Sequence, residues 1–403
     1  VIGNYKENEN CLNGNSSEIF WEPVHLVEDY CIRNAVREIE GSTVRADWNV
    51  VPKAASPLAS AVSSARGSGH QIIGHPQIGL VSLPRVLGSD MKYVVSTGTI
   101  SLKTNDLYRR SQRERVAALH HSLGFLVVHK GFVWPVYATQ GGDFNFFNWS
   151  SNPGSKQELA SLGDIHYPMQ DKVIVSQCQH ILDLCNVRRV VLNDVIDFKA
   201  GSHHQYTYKD RFDRRGTSVT DELKGVAEQL TADWAGYEVN IVASNHHEHL
   251  TKWLSQPSQN VRPEDLMMWF ELNALALRGY NLTRHILGDT HKYWSDLNPL
   301  MENEVLYIHG DKGVSGSRGT PNGFSKASYK ITGHHTHTPS ILRGYMNPAS
   351  TKKLPSDYEG GLTASGHGMI LQASTGKRQL ISGYGNLLPT RLLDFMESNN
   401  VRR

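Results

Sequence analysis

"KQELASLGDIH" at 156–166, "DKVIVSQCQHILDLCNV" at 171–187 and "RRVVLND" at 188–194 decide the fold class between them. The first is a short apolar run that stops at Gly163, and the third is Val-Val-Leu closed by Asn193 and Asp194, so each reads as a strand. The middle segment has helical spacing, with Cys178 and Cys185 two turns apart on one face. Strand, helix, strand within about forty residues is the signature of an α/β layered domain. The alternation continues downstream. "TDELKGVAEQLTADWAG" predicts a helix and "YEVNIVASNHH" a third strand; a helical block over 263–297 then precedes two more strands, "EVLYIHGD" and "SYKITGHH".

Upstream the pattern differs. From His70 to Asn148 the text is rich in Val, Phe and Tyr, as in "MKYVVSTGTISL" and "LGFLVVHKGFVWPVYAT", with a hairpin turn expected at Lys130-Gly131. Before it, "PVHLVEDYCIRNAVREIE" at 23–40 predicts an amphipathic helix, and "PKAASPLASAVSSARGSGH" at 52–70 reads as a linker. The polar, Asn-rich opening reads as a loosely ordered terminus. The expected division is a tail, helix and linker over 1–69, a strand-rich accessory region over 70–155 and an α/β (α+β) domain over 156–403.

Composition narrows the function classes. With 403 residues, 39% hydrophobic and 20% charged, the chain is long enough for two cored domains. A net charge of +2 excludes coating nucleic acid by bulk charge, so any grip on a polyanion is local. Four cysteines (Cys11, Cys31, Cys178, Cys185) without a CxxC pair argue against a zinc ribbon or a disulfide framework. No apolar run is long enough to span a membrane and no signal peptide is evident, so a cytoplasmic protein without a membrane partner is expected. Histidine is abundant instead: twenty, fourteen of them after residue 160.

Those histidines collect where strands stop. The five ends read "GDIH", "NDVID", "SNHHE", "IHGD" and "GHHTH", each closing in Asp, Asn or His. Loops beyond the carboxyl ends of strands in an α/β sheet converge on one crevice. Carboxylate and amide oxygens beside imidazole nitrogens are what hard or borderline divalent ions take. The spacings Asp164-x-His166 and His335-x-His337 point both side chains of an extended segment the same way. Polar loops collect histidines without any metal, but spacing and order together favour a site.

In this order the motifs D-x-H, D-x-x-D, N-H, H and H-x-H resemble the calcineurin-like metallophosphoesterase superfamily over about 157–345. The resemblance implies a four-layer β-sandwich flanked by helices. It also implies two divalent ions, with Mn²⁺ the first expectation for a mixed N/O site that accepts Fe, Zn or Ni as well. Asp164, His166 and His337 would hold one ion, Asp194 would bridge, and Asn245, His309 and His335 would complete the other. His334 competes with His335 for that role, and His335 is preferred because it restores the H-x-H spacing. His246 matches the general acid of such enzymes, with Asp197 holding it by a hydrogen bond. Asn193 and Ser244 stand where the superfamily commonly has glycine.

With the flanking segments "HPQIGLVSLPRVLGSDMKYVVSTGTISL", "HHSLGFLVVH", "IHGDKGVSGSRGT" and "GKRQLISG", the chain is similar to the early deoxyribonuclease and DNA-transfer proteins of tailed bacteriophages over about 70–385. That likeness implies DNA as partner, a metal-dependent deoxyribonuclease activity and the host cytoplasm as location. "LYRRSQRER" (107–115), "KDRFDRRG" (209–216), Arg318 and the pair His203 and His204 are candidates for holding substrate phosphates. "DFNFFNW" at 143–149 could stack bases, although such strings more often pack one part of a protein on another. The alternatives are a phosphoesterase for nucleotides or phosphoproteins, and a non-catalytic DNA-transfer component with a structural metal. A homo-oligomer is a general expectation for soluble proteins.

Overall fold

The computed structural model describes residues 69–99, 119–139, 141–201, 218–334, 336–356 and 359–389, with shorter pieces at 2–3, 32–33, 36–39, 41–45, 54 and 56–65. Mixed α/β content is evident throughout. Among the described residues, Gln157–Leu162, Arg189–Leu192, Glu238–Val242 and Lys292–Trp294 run parallel, and the antiparallel pair His367–Ala373 and Arg378–Gly383 extends them on the Gln157–Leu162 side into a six-stranded sheet. A ten-stranded sheet joins Val36–Ile39, Ser42–Arg45, Gln71–Ile73, Gly79–Ser82 and Tyr93–Ser96 to the five strands between Leu300 and Asn347.

Alternation along the strands explains why the two sheets lie face to face. Ala160, Leu162, Val190, Leu192, Val239 and Ile241 point to one side, where they meet Ile174, Cys178 and Ile181 of the Lys172–Leu184 helix and Leu223, Val226 and Leu230 of the Val219–Asp233 helix. Leu159, Val191 and Val242 point to the other side and pack on Leu300, Val305 and Tyr307 of the ten-stranded sheet. Further along the same interface Ile370 and Leu380 meet Leu80, Val95, Ile341 and Met346. Polar links cross it too. The buried Arg378 guanidinium donates to the carbonyls of Ile331 and Gly344, at 2.6 and 2.7 Å, and Tyr93 Oη lies 3.0 Å from Ser382 Oγ.

Several expectations change. The 70–155 region is not set apart from the α/β part of the chain: its strands Gln71–Ile73, Gly79–Ser82 and Tyr93–Ser96 belong to the same sheet as residues 305–347, through the pairing of Leu80 with Ile341. The linker contains a helix, Pro57–Ser64, because Pro57 presets the first turn and Leu58, Ala61 and Val62 cover Ile73 and Val94. Where a helix was expected over 23–40, Val36–Ile39 is a strand pairing with Ser42–Arg45 across Gly41, whose φ of 74° permits the tight turn. Lys292–Trp294, inside the expected helical block, is the fourth parallel strand, its Tyr and Trp suiting a pleated surface better than a helix. The hairpin at Lys130-Gly131 forms as expected, both residues having positive φ.

The "DFNFFNW" string packs inward. Phe146 and Phe147 stack edge-on against each other at 4.8 Å and against the buried Trp134. Cys178 and Cys185 are buried free thiols. No helix among the described residues is long and apolar enough to cross a membrane.

Candidate metal centre

The carboxyl ends of the parallel strands from both sheets meet at one place. Gln157–Leu162 leads into Asp164 and His166, Arg189–Leu192 into Asp194 and Asp197, and Glu238–Val242 into Asn245 and His246. From the other sheet, Val305–Ile308 leads into His309 and Lys330–Gly333 into His334. The first two loops continue each other's ladder past the strand ends: the backbone N–H of His166 donates to Asp194 at 2.7 Å and that of Tyr167 to Val195 at 3.0 Å. Asp164, His166 and Asp194 all hold the left-handed backbone conformation, with φ of 54°, 50° and 48°. Three such residues together are a strained arrangement that surrounding structure must enforce, and strain of this kind collects at functional sites.

Two buried carboxylates form the middle, and four imidazoles turn Nε2 toward them. His309 Nε2 lies 2.8 Å from Asp194 Oδ2 and His337 Nε2 lies 2.7 Å from Asp164 Oδ2. His166 Nε2 is in contact with Asp164 Oδ1, and His334 Nε2 stands 3.6 Å from a carboxylate oxygen of each aspartate. Candidate ligand atoms of His166, Asp194 and His246 lie within 4.8 Å of one another, as do those of Asp194, His309 and His334. Asp194 is common to both groups.

Three of the imidazoles are backed by a second carboxylate. His166 Nδ1 lies 2.6 Å from Asp197 Oδ1, His309 Nδ1 3.0 Å from Asp311 Oδ1, and His337 Nδ1 3.5 Å from Glu359 Oε1. A carboxylate only accepts, so Nδ1 of each ring carries a proton, and Nε2 faces inward; once Nε2 gives up any proton it shares with the central aspartates, each ring is the tautomer a metal requires. Glu359 is itself fixed by the Ser365 hydroxyl and the backbone N–H of Ser356.

Electrostatics agree with a cation site. Burial pushes the Asp164 and Asp194 carboxyls up, but the histidines beside them outweigh it and hold both well below the usual carboxylate range. Burial pushes the His166 imidazole down, and the charge and hydrogen bonds of Asp164 and Asp197 reverse this, raising it to about 10. The chemistry of the donor set fits divalent ions. Asp194 Oδ1 is buried without a hydrogen bond, an open valence at the centre.

The expected residues are not all placed alike. Asp164, His166, Asp194, Asp197, His246, His309 and His337 come together. His334 faces the aspartates; His335, the residue preferred from the spacing, lies outside the described residues, as do His203, His204 and both arginine runs. Asp197 touches both histidines in different ways: its carboxylate holds His166, while its backbone carbonyl accepts from His246 Nδ1 at 3.1 Å. Asn245 is half-buried at the start of the Asn245–Leu254 helix, beside His246. Arg318 is exposed on the turn after Asp311, where Gly319 packs against the Gly310 carbonyl so closely that a Cβ would stand 1.7 Å from it.

Four participants went unnoticed in the sequence. Asp311 follows His309 at two-residue spacing, a signal that was available. Glu359 and Lys352, whose Nζ lies 3.5 Å from Asp164 Oδ2, arrive on the loops after Asn347 and carry no local pattern. His247 lies behind His246; it accepts from the Ser244 backbone N–H at 3.4 Å, and burial pushes its imidazole down to about 4, so it is neutral.

No protein-family model matches the chain. Over 395 residues it is 25% identical to "Protein A1" of Escherichia phage T5, the alignment covering 87% of this chain and 70% of that protein. The chain is thus related to a phage protein and carries buried His/Asp groups able to hold a metal ion.

Proposed function

We propose that this protein is a metal-dependent deoxyribonuclease of the calcineurin-like metallophosphoesterase type, hydrolysing DNA phosphodiester bonds with two divalent ions, Mn²⁺ first among them. The observation that carries this reading is the pair Asp164 and Asp194, faced by four imidazole Nε2 atoms of which three are oriented by carboxylates. Asp164, His166 and His337 would hold one ion and His309 and His334 the other, with Asp194 between them and Asn245 beside it. Ions bound there supply charge that polarises a phosphate ester and acidifies water at neutral pH.

The chain's own residues do the rest. His246 donates Nδ1–H to the Asp197 carbonyl, which fixes its ring; the proton for the departing oxygen is the second one, on Nε2, carried by the imidazolium form that Asp194 favours and burial opposes. Its ring lies 4.3 Å from that of His166, edge to face, which puts that proton beside the centre. Lys352, mostly buried beside Asp164, adds a fixed positive charge for a phosphate oxygen.

A second reading, a phosphoesterase for nucleotides, draws on the cleft of about 330 Å³ beside the centre, lined by His247, Asn281, Thr283, Asp311 and Lys312. That volume is at the lower end for small-ligand pockets, roughly 300–1,000 Å³. Supercoiled plasmid and a chromogenic phosphodiester, each incubated with the protein and Mn²⁺, distinguish the two. Nicking that His246→Ala abolishes while bound metal is retained supports the nuclease. Metal-loaded protein that cleaves the small ester and leaves plasmid intact supports the second reading, and failure on both substrates refutes hydrolysis.

A further inference from the structure

The Leu266–Leu277 helix, "LMMWFELNALAL", is apolar at every position except Glu271 and Asn273. A helix apolar on all sides is one that is covered on all sides. Here only Leu272 is fully buried, while Leu266, Met268, Trp269 and Leu275 are half-buried against the core beside the six-stranded sheet. The opposite side faces solvent: Met267 is 80% exposed, Phe270 55% and Leu277 90%, with Ala274 exposed between them. Single exposed apolar residues need no explanation, whereas a contiguous stripe marks an interaction surface.

We propose that this stripe is the interface through which two copies of the chain pair, helix against antiparallel helix. The spacing supports a second copy over an unrelated partner. Residues 267, 270, 274 and 277 are separated by three, four and three, the interval of a helix–helix seam, and the series reads the same in both directions. A two-fold axis through the middle sets Met267 opposite Leu277 and Phe270 opposite Ala274, the second pair large against small, in a self-complementary arrangement. Charge follows the same symmetry. Glu264, one turn before the stripe and 3.9 Å from Arg262 of its own chain, and the exposed Arg278 after it lie on one flank, so antiparallel pairing brings each Arg278 near Glu264 of the second copy. Glu271 on that flank is met by His285 of its own chain at 3.3 Å. An anionic lipid surface fits less well, since Glu264 and Glu271 border the apolar residues.

The test is the mass in solution by sedimentation or light scattering, read without substrate, so its outcome is independent of the hydrolytic reading. The intact chain is expected at an even multiple of its own mass, and Phe270→Glu is expected to halve that mass with the circular dichroism unchanged, because the side chain is exposed. Leu277→Lys serves as a second variant if the first fails to fold. Arg278→Glu is expected to weaken association roughly tenfold, and adding Glu264→Arg to restore it. A chain that stays single up to its solubility limit overturns the proposal. So does an assembly that survives both stripe variants, or a single chain that binds neutral lipid vesicles through the stripe.

Discussion

Replacing Gly163 by alanine tests how closely the centre is built. A Cβ at this position would stand 2.2 Å from the Ala349 carbonyl oxygen and 2.2 Å from His334 Nδ1, over 1 Å short of ordinary contact. The two neighbours differ in freedom. Ala349 is held in place, its N–H donating to Asn347 Oδ1 at 2.8 Å, whereas His334 Nδ1 has no hydrogen bond. The imidazole therefore moves, by about 1 Å, and carries Nε2 away from Asp164 and Asp194. Overpacking of this kind costs about 1–3 kcal/mol. A misplacement of that size in a catalytic group lowers turnover roughly 10²-fold. Urea unfolding, calorimetric Mn²⁺ titration and plasmid nicking measure the three effects. Gly225→Ala is the control: nothing lies within 4 Å of its Cβ, its place is mid-helix, and it should gain about 0.5–1 kcal/mol with metal uptake unchanged. Equal stability and equal Mn²⁺ affinity in Gly163→Ala and the unaltered protein would refute the placement of His334.

The carboxylates behind the histidines give a second outcome: Asp311→Asn should weaken metal binding or activity by about 10–100-fold while the fold persists, read by metal titration beside thermal unfolding. Glu359 gives a pH dependence. Burial pushes its carboxyl up, but the hydrogen bonds from His337 and Ser365 bring it to about 2, below the ordinary 4.5. A depressed folded value means its stabilisation is complete above pH 4.5 and is lost as the pH falls toward 2. In Glu359→Gln without added metal, stability should therefore fall less between pH 5 and pH 3 than in the unaltered protein. Burial pushes the Cys178 and Cys185 thiols far above their usual range, so neither should be alkylated at neutral pH in the folded chain; peptide mass mapping before and after denaturation reads this directly.

The sequence by itself determined what depends on neighbours in the chain. The strand–helix–strand run over 157–192 follows from local periodicity, and the Lys130-Gly131 turn follows from two residues that tolerate positive φ. Asp164, His166, Asp194, His309 and His337 were legible as ligand types because each closes a strand. The tertiary structure decided everything that turns on pairing between distant segments. That Gly79–Ser82 joins Ser340–Leu342 cannot be read from either stretch, since both are simply apolar strands. His334 and His335 compete for one role in the text, and only the tertiary structure turns the His334 ring toward two aspartates. Glu359 and Lys352 become part of the centre only when the loops after Asn347 fold back across the carboxyl ends of the strands. Periodicity encodes which face of an element is apolar; which distant groups meet is set by how those faces are buried together.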